Sequence, residues 1–320
     1  MSKRNYKAAI VGLGNVAWKY RCNRSSPDCA LTHADVYQKR PDVELAGGCS
    51  PQKEDQEGFN KRYKVPVFDS IDELLTRISP DIVSICSPHE FHFEHTLKCF
   101  EYRVPMIWLE KPASTKTSEI STLIEEQKKH RSTVLVNYQR RYNECYKRLK
   151  DLYINNSIGK VEFISLIYSK GLLQNGSHML DILLYVLGDD VNLSVENVTS
   201  SSTENNFSFI LRALNSLQIF VAGISVPYHC ADIVLICKNG RASVLYGGME
   251  TKVETRFEHE LFKGFYRLKE QDNKILGDGD ITQAMSNALE DLILSYRQKT
   301  MPQSNLVTAS KTLEIISKVR

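Results

Sequence analysis

Long apolar runs are missing from this sequence. No stretch of its 320 residues approaches the ~20 consecutive apolar positions that cross a bilayer. The opening Met1–Lys7 is short and polar, without the apolar core of a targeting peptide. The expectation is a cytoplasmic protein with no membrane partner. Cysteine is sparse too, because eight in 320 residues cannot build a disulfide scaffold. Cys49, Cys86 and Cys237 lie in or beside apolar strand patterns and read as reduced core residues. Cys22 and Cys29 flank a loop with no second close pair and no His cluster, so no metal site is expected. An excess of one charge is also absent. With 41 basic against 38 acidic residues the net charge is +3, and no basic field argues for nucleic acid. The one cationic run, Lys128-Lys129-His130-Arg131, ends a polar helix pattern, where cations suit the negative end of the helix dipole.

What is present is 42% apolar residues in a chain longer than a single core usually serves, which implies two domains. The first apolar run leads into Gly12-Leu13-Gly14-Asn15-Val16-Ala17, a G-x-G-x-x-A pattern at a strand end. In a dinucleotide site Gly12 makes the sharp turn, Gly14 lets backbone approach a pyrophosphate, and Ala17 packs the following helix on its strand. The pyrophosphate then rests on the helix N-terminus. An ordinary tight turn gives the same letters. The helix pattern resumes only near Thr32, since Arg21 to Ala30 reads as a loop, either a lid over a ligand or a tolerated surface insertion.

Val43 to Cys49 reads as the second strand. The place after it, where NAD sites carry an acid for the ribose, holds Ser50, with Lys53 one turn on. A hydroxyl and an ammonium suit a 2′-phosphate that a carboxylate would repel, so NADP is the expected cofactor and NAD the alternative. A helix over Lys53–Tyr63, a short strand at Val65–Phe68, a capped helix after Asp69-Ser70, an apolar strand Asp81–Cys86 ending in Ser87-Pro88-His89, and a helix from His92 to Tyr102 follow. The strand Pro105–Leu109 then runs into Glu110-Lys111-Pro112. Such alternation predicts a doubly wound parallel sheet. From Val161 the texture changes to β-segments at Val161–Tyr168, Asn192–Ser200, Phe207–Leu214, Ser216–Ala222, Ala231–Cys237 and Ala242–Tyr246, with turns at Asn215-Ser216 and Asn239-Gly240. Helices at Gln283–Gln298 and Val307–Val319 close the chain.

At Glu110-Lys111-Pro112 the sequence resembles the family of glucose-fructose oxidoreductase, inositol dehydrogenase and rhizopine-catabolism proteins (Gfo/Idh/MocA), which are NAD(P)-dependent oxidoreductases. The resemblance covers nearly the whole chain. It rests on the glycine fingerprint, Ser87-Pro88 with His92, the Glu110-Lys111-Pro112 triplet, Arg141 after Val136-Asn137-Tyr138, Gly176-Ser177-His178 with Asp181, and Met285 to Val319. It implies an α/β chain with a Rossmann domain over residues 1–118 and a substrate-binding and oligomerisation α+β domain over 119–320. The second domain would be a large, open, mainly antiparallel sheet pairing between subunits of a homodimer or homotetramer.

The resemblance also implies roles. Gly12, Leu13, Gly14, Asn15, Val16, Ser50, Lys53, Ser87, Pro88, His92, Glu110 and Lys111 would hold the cofactor. Lys111, at the end of a strand where such sheets bind ligands, would stand at the nicotinamide edge and touch the reacting sugar oxygen. Beside an oxidised nicotinamide its pKa should fall, which suits a proton acceptor, although a surface lysine before a proline turn reads the same way. A cis bond at Pro112 is one option. Family members commonly place Asp four residues before the catalytic His, whereas here Gln174 precedes His178, so Lys111 and His178 would share the proton work. His178 could instead pair with Asp181 as a core histidine. Asn137, Tyr138, Arg141, Lys170, Gln174, Asn175 and His178 are the candidates to line a sugar pocket. Lys170-Gly171 with the following segment to His178 is similar to a branch associated with surface-polysaccharide sugars. The expected activity is hydride transfer between nicotinamide and a sugar or nucleotide-sugar hydroxyl or ketone. A redox-assisted glycoside-cleaving enzyme and a non-catalytic nicotinamide-sensing protein are the alternatives.

Overall fold

The structure, a computed structural model, describes residues 5–20, 30–200, 205–213, 217–271, 276 and 281–320. The chain forms two compact units, one of residues Met1–Gln139 with Thr282–Ser310 and one of Arg140–Ile281 with Lys311–Arg320.

The first unit carries six strands: β1 (Tyr6–Val11), β2 (Val43–Cys49), β3 (Val67–Phe68), β4 (Ile82–Ile85), β5 (Met106–Leu109) and β6 (Thr133–Val136). Their order is β3-β2-β1-β4-β5-β6 and every neighbouring pair is parallel. Strand order therefore reverses between β1 and β4, the place where a doubly wound sheet leaves a crevice at its carboxyl ends. Strands β4 and β5 are buried at every position, as their continuous apolar runs require of a sheet covered on both faces. Helices α1 (His33–Lys39), α2 (Lys53–Tyr63), α3 (Ile71–Ile78), α4 (His92–Glu101) and α5 (Thr117–His130) connect them. Thr32 and Ser70 cap α1 and α3 by accepting from the Asp35 and Glu73 amides at 3.2 Å each. The parallel sheet runs past residue 118, the end expected from sequence, because β6 pairs with β5 from Met106↔Thr133 to Leu109↔Val136.

The second unit carries α6 (Glu144–Ile154), α7 (Ser177–Leu187) and eight strands. These are β7 (Val161–Ser169), β8 (Leu193–Ser200), β9 (Phe207–Ala213), β10 (Gln218–Ile224), β11 (Ala231–Cys237), β12 (Gly240–Leu245), β13 (Glu250–Glu258) and β14 (Tyr266–Glu270). The order β14-β13-β12-β11-β7-β10-β9-β8 is antiparallel throughout except for β7 with β10. Strands β13 and β14 escape sequence reading because charges alternate through them and β14 is exposed at every position, so no apolar period marks either. The tight turn before β12 is Lys238-Asn239, and Gly240 opens the strand itself. A Cβ on Gly240 would stand 2.2 Å from the Glu254 carbonyl oxygen, so the glycine serves strand packing rather than the turn. The chain ends in α8 (Ala284–Gln298), which belongs to the first unit, and α9 (Leu306–Val319). Of the proposed loop from Arg21 to Ala30 all but Ala30, with both of its cysteines, lies outside the described residues, as does the turn Asn215-Ser216. Cys49, Cys86 and Cys237 are buried free thiols, as their apolar setting predicts.

Candidate functional site

The fingerprint turn follows β1 directly. Gly12 has φ +85°, and a Cβ there would meet the Ser87 backbone nitrogen at 2.5 Å and its Cα at 2.6 Å, so both the turn and the β4 end exclude any side chain. Gly14 differs. Its φ is −87° and a Cβ would meet no atom within 4 Å, so nothing in the fold itself demands a glycine. The backbone N–H groups of Leu13 and Gly14 find no backbone acceptor among the described residues. A bare Cα facing open space beside two such donors fits the close approach of an anionic pyrophosphate. The helix at the turn is one π-helical turn, Asn15–Lys19, with Ala17 fully buried, and the next α-helix among the described residues begins at His33. Backbone amides, more than a long helix dipole, are the donors here.

At the end of β2, Ser50 is 4% exposed. Its hydroxyl accepts from the Gln52 amide at 3.3 Å and its carbonyl from Gln56 Nε2 at 2.6 Å. Lys53, at the start of α2, extends into solvent and its ammonium lies 2.6 Å from Asp69 Oδ1, which Gln56 Nε2 also reaches at 2.7 Å. The cation expected to meet a 2′-phosphate thus has a carboxylate beside it. Asp69, after β3, is an acidic residue beside Lys53 that the sequence reading did not single out.

After β5 come Glu110 and Lys111, with Lys111-Pro112 in the cis form. The β ladders continue to this edge, where the Cys86 amide donates to Val11 O at 2.7 Å and the Glu110 amide to Ile85 O at 2.9 Å. Glu110 is not free to meet a ligand with both oxygens, because Oε1 accepts from Asn137 Nδ2 at 2.6 Å and lies 2.9 Å from His33 Nε2. Burial alone would raise this carboxyl, but His33, Asn137 and Lys111 hold its pKa below the ordinary value. His33 Nδ1 in turn meets Ser84 Oγ at 2.8 Å, and the Tyr37 hydroxyl meets the same Oγ at 2.5 Å. This buried chain from α1 through β4 fixes the residue that precedes Lys111. Sequence reading missed it, although His33 and Tyr37 stand four apart on one face of α1.

His92 is buried, with Nδ1 2.7 Å from Pro112 O and Nε2 2.8 Å from Ser87 O, so it ties the β4 end to the turn after Lys111 instead of facing a cofactor. Burial pushes its pKa down despite the two carbonyls. Ser87 Oγ meets His95 Nδ1 at 2.9 Å. Asn137 and Tyr138, expected in a sugar pocket, are buried in the first unit, and Asn137 spends its amide on Glu110 and, at 3.3 Å, on Met285 Sδ.

In the second unit Arg141 is fully buried. It binds Asp181 with Nε and Nη2 at 2.8 Å each, and Asp189 with Nη1 at 3.0 Å and Nη2 at 2.8 Å. Two carboxylates overcome the desolvation that would lower it and hold its pKa above the ordinary value. Arg141 is therefore a structural clamp on α7, not a ligand for sugar. Asp181 gives both oxygens to Arg141, so it is not held for His178. Residues Leu172–Gly176 form a π-helical turn ahead of α7. Gln174 on that turn is exposed, whereas His178 in the first turn of α7 is 8% exposed. Lys170 is exposed after β7, and Asn175 Nδ2 donates to His229 Nδ1 at 3.3 Å. His229 was not singled out from the sequence. No cluster of metal-ligating side chains and no helix able to span a membrane occurs among the described residues.

A family model described as an oxidoreductase family with an NAD-binding Rossmann fold, Gfo/Idh/MocA, matches residues 6–138. The D-glucoside 3-dehydrogenase of Escherichia coli is 26% identical over 208 residues, covering 59% of this chain and 56% of that protein. The myo-inositol 2-dehydrogenase of Thermotoga maritima is 25% identical over 201 residues, covering 58% and 56%. The matched stretch thus spans about half the length of these curated relatives. Among solved structures, the WlbA dehydrogenase of Chromobacterium violaceum, in complex with NADH and UDP-GlcNAcA, superposes with a TM-score of 0.78 at 17% identity, covering 100% of this chain and 94% of that one. A dehydrogenase (MviM) of Clostridium difficile gives 0.75 at 19% identity over 99% of both chains. At such identities these two likenesses establish the fold. The family model covers the part of the first unit that carries the glycine turn, Ser87 and Lys111, so residues 6–138 are similar to the NAD-binding Rossmann domain of the Gfo/Idh/MocA oxidoreductases.

Proposed function

We propose that the chain is an NAD(P)-dependent oxidoreductase that moves hydride between a nicotinamide and a hydroxyl or ketone carbon of a sugar or nucleotide sugar. The observation that carries this reading is the carboxyl edge of three adjacent strands, where β1 leads into Gly12 and the open Gly14, β4 into Ser87, and β5 into Lys111. A bound nicotinamide cofactor would supply or take up the hydride. Gly12, Leu13, Gly14, Asn15 and Val16 would cradle its pyrophosphate, and Ser50 with Lys53 would receive a 2′-phosphate, which favours NADP. With Asp69 beside Lys53, NAD is the alternative.

Lys111 is the group we assign to the reacting oxygen. In oxidation it accepts the hydroxyl proton as the carbon–hydrogen bond breaks, and in reduction it returns that proton. His178, in the second unit, is the other proton-handling group we assign, since Gln174 can orient a hydroxyl but cannot carry a proton. Stabilising charge on one oxygen and holding two carbons in register account for most of the rate in such a reaction. The dehydrogenase names of the two curated relatives support a sugar or polyol substrate. The segment Lys170 to His178 supports, more narrowly, a sugar of surface polysaccharides. Phe163 and Phe220, with ring centroids 5.2 Å apart, and Ile236 stand on the second sheet with Phe220 and Ile236 exposed, which supports pairing of that sheet in a homodimer or homotetramer.

Titration of the purified protein with NADPH, NADP, NADH and NAD, followed by absorbance at 340 nm with ketosugars and nucleotide sugars, tests the proposal. Cofactor binding with net nicotinamide turnover is the expected result. Sugar cleavage without net change at 340 nm would replace it with the glycoside-cleaving alternative, and cofactor binding without any sugar chemistry would replace it with the sensor.

A further inference from the structure

Three buried polar atoms in the second unit make no well-formed hydrogen bond, Arg140 Nε, Asn143 Nδ2 and the Tyr146 hydroxyl, although the Arg140 guanidinium and the Tyr146 phenol lie close enough to interact with each other. They gather around one turn, Tyr246-Gly247-Gly248, whose three residues all have positive φ (51°, 71° and 107°). A Cβ on Gly247 would stand 3.0 Å from Arg140 Nη2 and 3.3 Å from His229 Nε2. A Cβ on Gly248 would stand 2.9 Å from Asn143 Nδ2 and 3.2 Å from Tyr146 Cε2. The turn is therefore bare where the guanidinium, imidazole, amide and phenol come together, and side chains there would fill the space in front of them.

Donors outnumber acceptors in the cluster, where the Tyr146 hydroxyl alone can also accept. Asn143 spends its Oδ1 on the Cys145 amide as the cap of α6, which leaves only its Nδ2 donor on offer. Asn175 donates to His229 Nδ1, which assigns the His229 proton to Nε2, on the side of Gly247. Burial first, and then the charges of Arg140 and Lys170, push the His229 pKa down, which places both cations within electrostatic reach of the ring. The carboxylates nearby are already engaged. Asp181 is bound by Arg141, and Asp232 accepts from the Tyr246 amide at 2.8 Å and from Cys230 Sγ at 3.5 Å. Buried donors without acceptors cost stability unless something supplies the missing lone pairs. A neutral hydroxyl would bring a donor of its own to a place already rich in donors. A carboxylate or phosphate brings acceptors only.

We propose that Arg140, His229, Asn143 and Tyr146, with Lys170 at the rim, form a subsite for an oxyanion carried by the substrate. The substrate is then an acidic sugar, bearing a carboxylate or a phosphoryl group. The inference rests on the reading of the chain as a sugar oxidoreductase and narrows its substrate class.

Calorimetric titration of the cofactor-saturated protein with inorganic phosphate, glucose 6-phosphate, glucuronate and glucose tests it, because binding is read without turnover. At least one of the three anionic probes should bind tenfold or more tighter than glucose, and the better of the two acidic sugars tells phosphoryl from carboxylate. Arg140→Gln should remove that preference and leave cofactor affinity within about twofold of wild type. Lys170→Gln, at an exposed position, should weaken the anion at least threefold even where Arg140→Gln fails to fold. The proposal is overturned if no anionic probe binds better than glucose, if Lys170→Gln and Arg140→Gln both leave anion affinity unchanged, or if Arg140→Gln weakens cofactor and anion by the same factor. Turnover of a neutral sugar in a protein that ignores all anions would sink this subsite and leave the oxidoreductase reading standing.

Discussion

Gly12 touches the Ser87 backbone so closely that a Cβ on Gly12 would lie 2.5 Å from the Ser87 nitrogen, while Gly14, two residues on, has nothing within 4 Å. The two glycines of one motif therefore answer to different demands. Gly12→Ala should destabilise the protein by ~1–3 kcal/mol from backbone strain alone, with the clash added. Gly14→Ala should leave the melting temperature near wild type and weaken nicotinamide cofactors at least tenfold. Thermal unfolding paired with cofactor titration of the two variants checks this, and equal melting temperatures for both would contradict it.

Lys111 follows β5 beside a carboxylate that His33 and Asn137 already hold. Lys111→Ala should lower kcat by about 100-fold or more, the scale of a lost general acid–base group, with cofactor affinity changed little. Single-turnover rates and cofactor dissociation constants separate the two effects. Equal losses in both would make Lys111 a binding residue.

Arg141 joins Asp181 and Asp189 inside the second unit. Arg141→Met strands the buried Asp181 charge and should cost ~3–5 kcal/mol. Asp189→Asn should cost less, because Asp189 is 29% exposed and Arg141 keeps Asp181. Denaturant unfolding of both variants, with Arg141→Met/Asp181→Leu recovering part of the loss, is the measurement. Intact stability of Arg141→Met with a lost sugar affinity would return Arg141 to the substrate.

Burial lowers the pKa of His92 below its ordinary value near 6.5, so the folded state binds fewer protons there than the unfolded state. Its contribution to stability is complete above about pH 6.5 and is lost as pH falls from there through the depressed value. Melting temperatures should decline from about pH 7 towards about pH 5, and His92→Gln should flatten that decline. His95 and His229 are depressed by burial in the same direction, so the slope should diminish without vanishing.

Lys53 and Asp69 form an exposed, solvent-screened pair that a ligand can rearrange. Asp69→Asn should shift preference towards NADP over NAD, and Lys53→Ala should shift it the other way. The ratio of the two dissociation constants in each variant decides it. If both variants move the ratio in the same direction, the phosphate contact lies elsewhere.

Several elements were legible before any coordinates. Strands β4 and β5 announce themselves because a strand buried on both faces is apolar nearly throughout, and the cap at Asp69-Ser70 marks a helix start because a polar side chain must satisfy an orphan amide. Gly12 and Gly14 were legible as a pair for the same kind of local reason. Strands β13 and β14 were not, since their stability comes from neighbours such as the Arg241–Glu254 pair across β12 and β13, which no local pattern encodes.

The same division runs through the candidate site. The sequence by itself determined the parallel sheet of the first unit, its glycine turn and the lysine that follows β5, because each follows from periodicity and from what a backbone can do over a few residues. Only the tertiary structure decided which polar side chains are available to a ligand. Arg140 and Arg141 are adjacent and chemically identical, yet Arg141 is closed by two carboxylates 40 and 48 residues away, while Arg140 Nε is buried and makes no well-formed hydrogen bond. His33 likewise reaches Glu110 across 77 residues. Hydrogen bonds and ion pairs act over a few ångströms of space, and chain separation carries no trace of which partners a fold will bring that close.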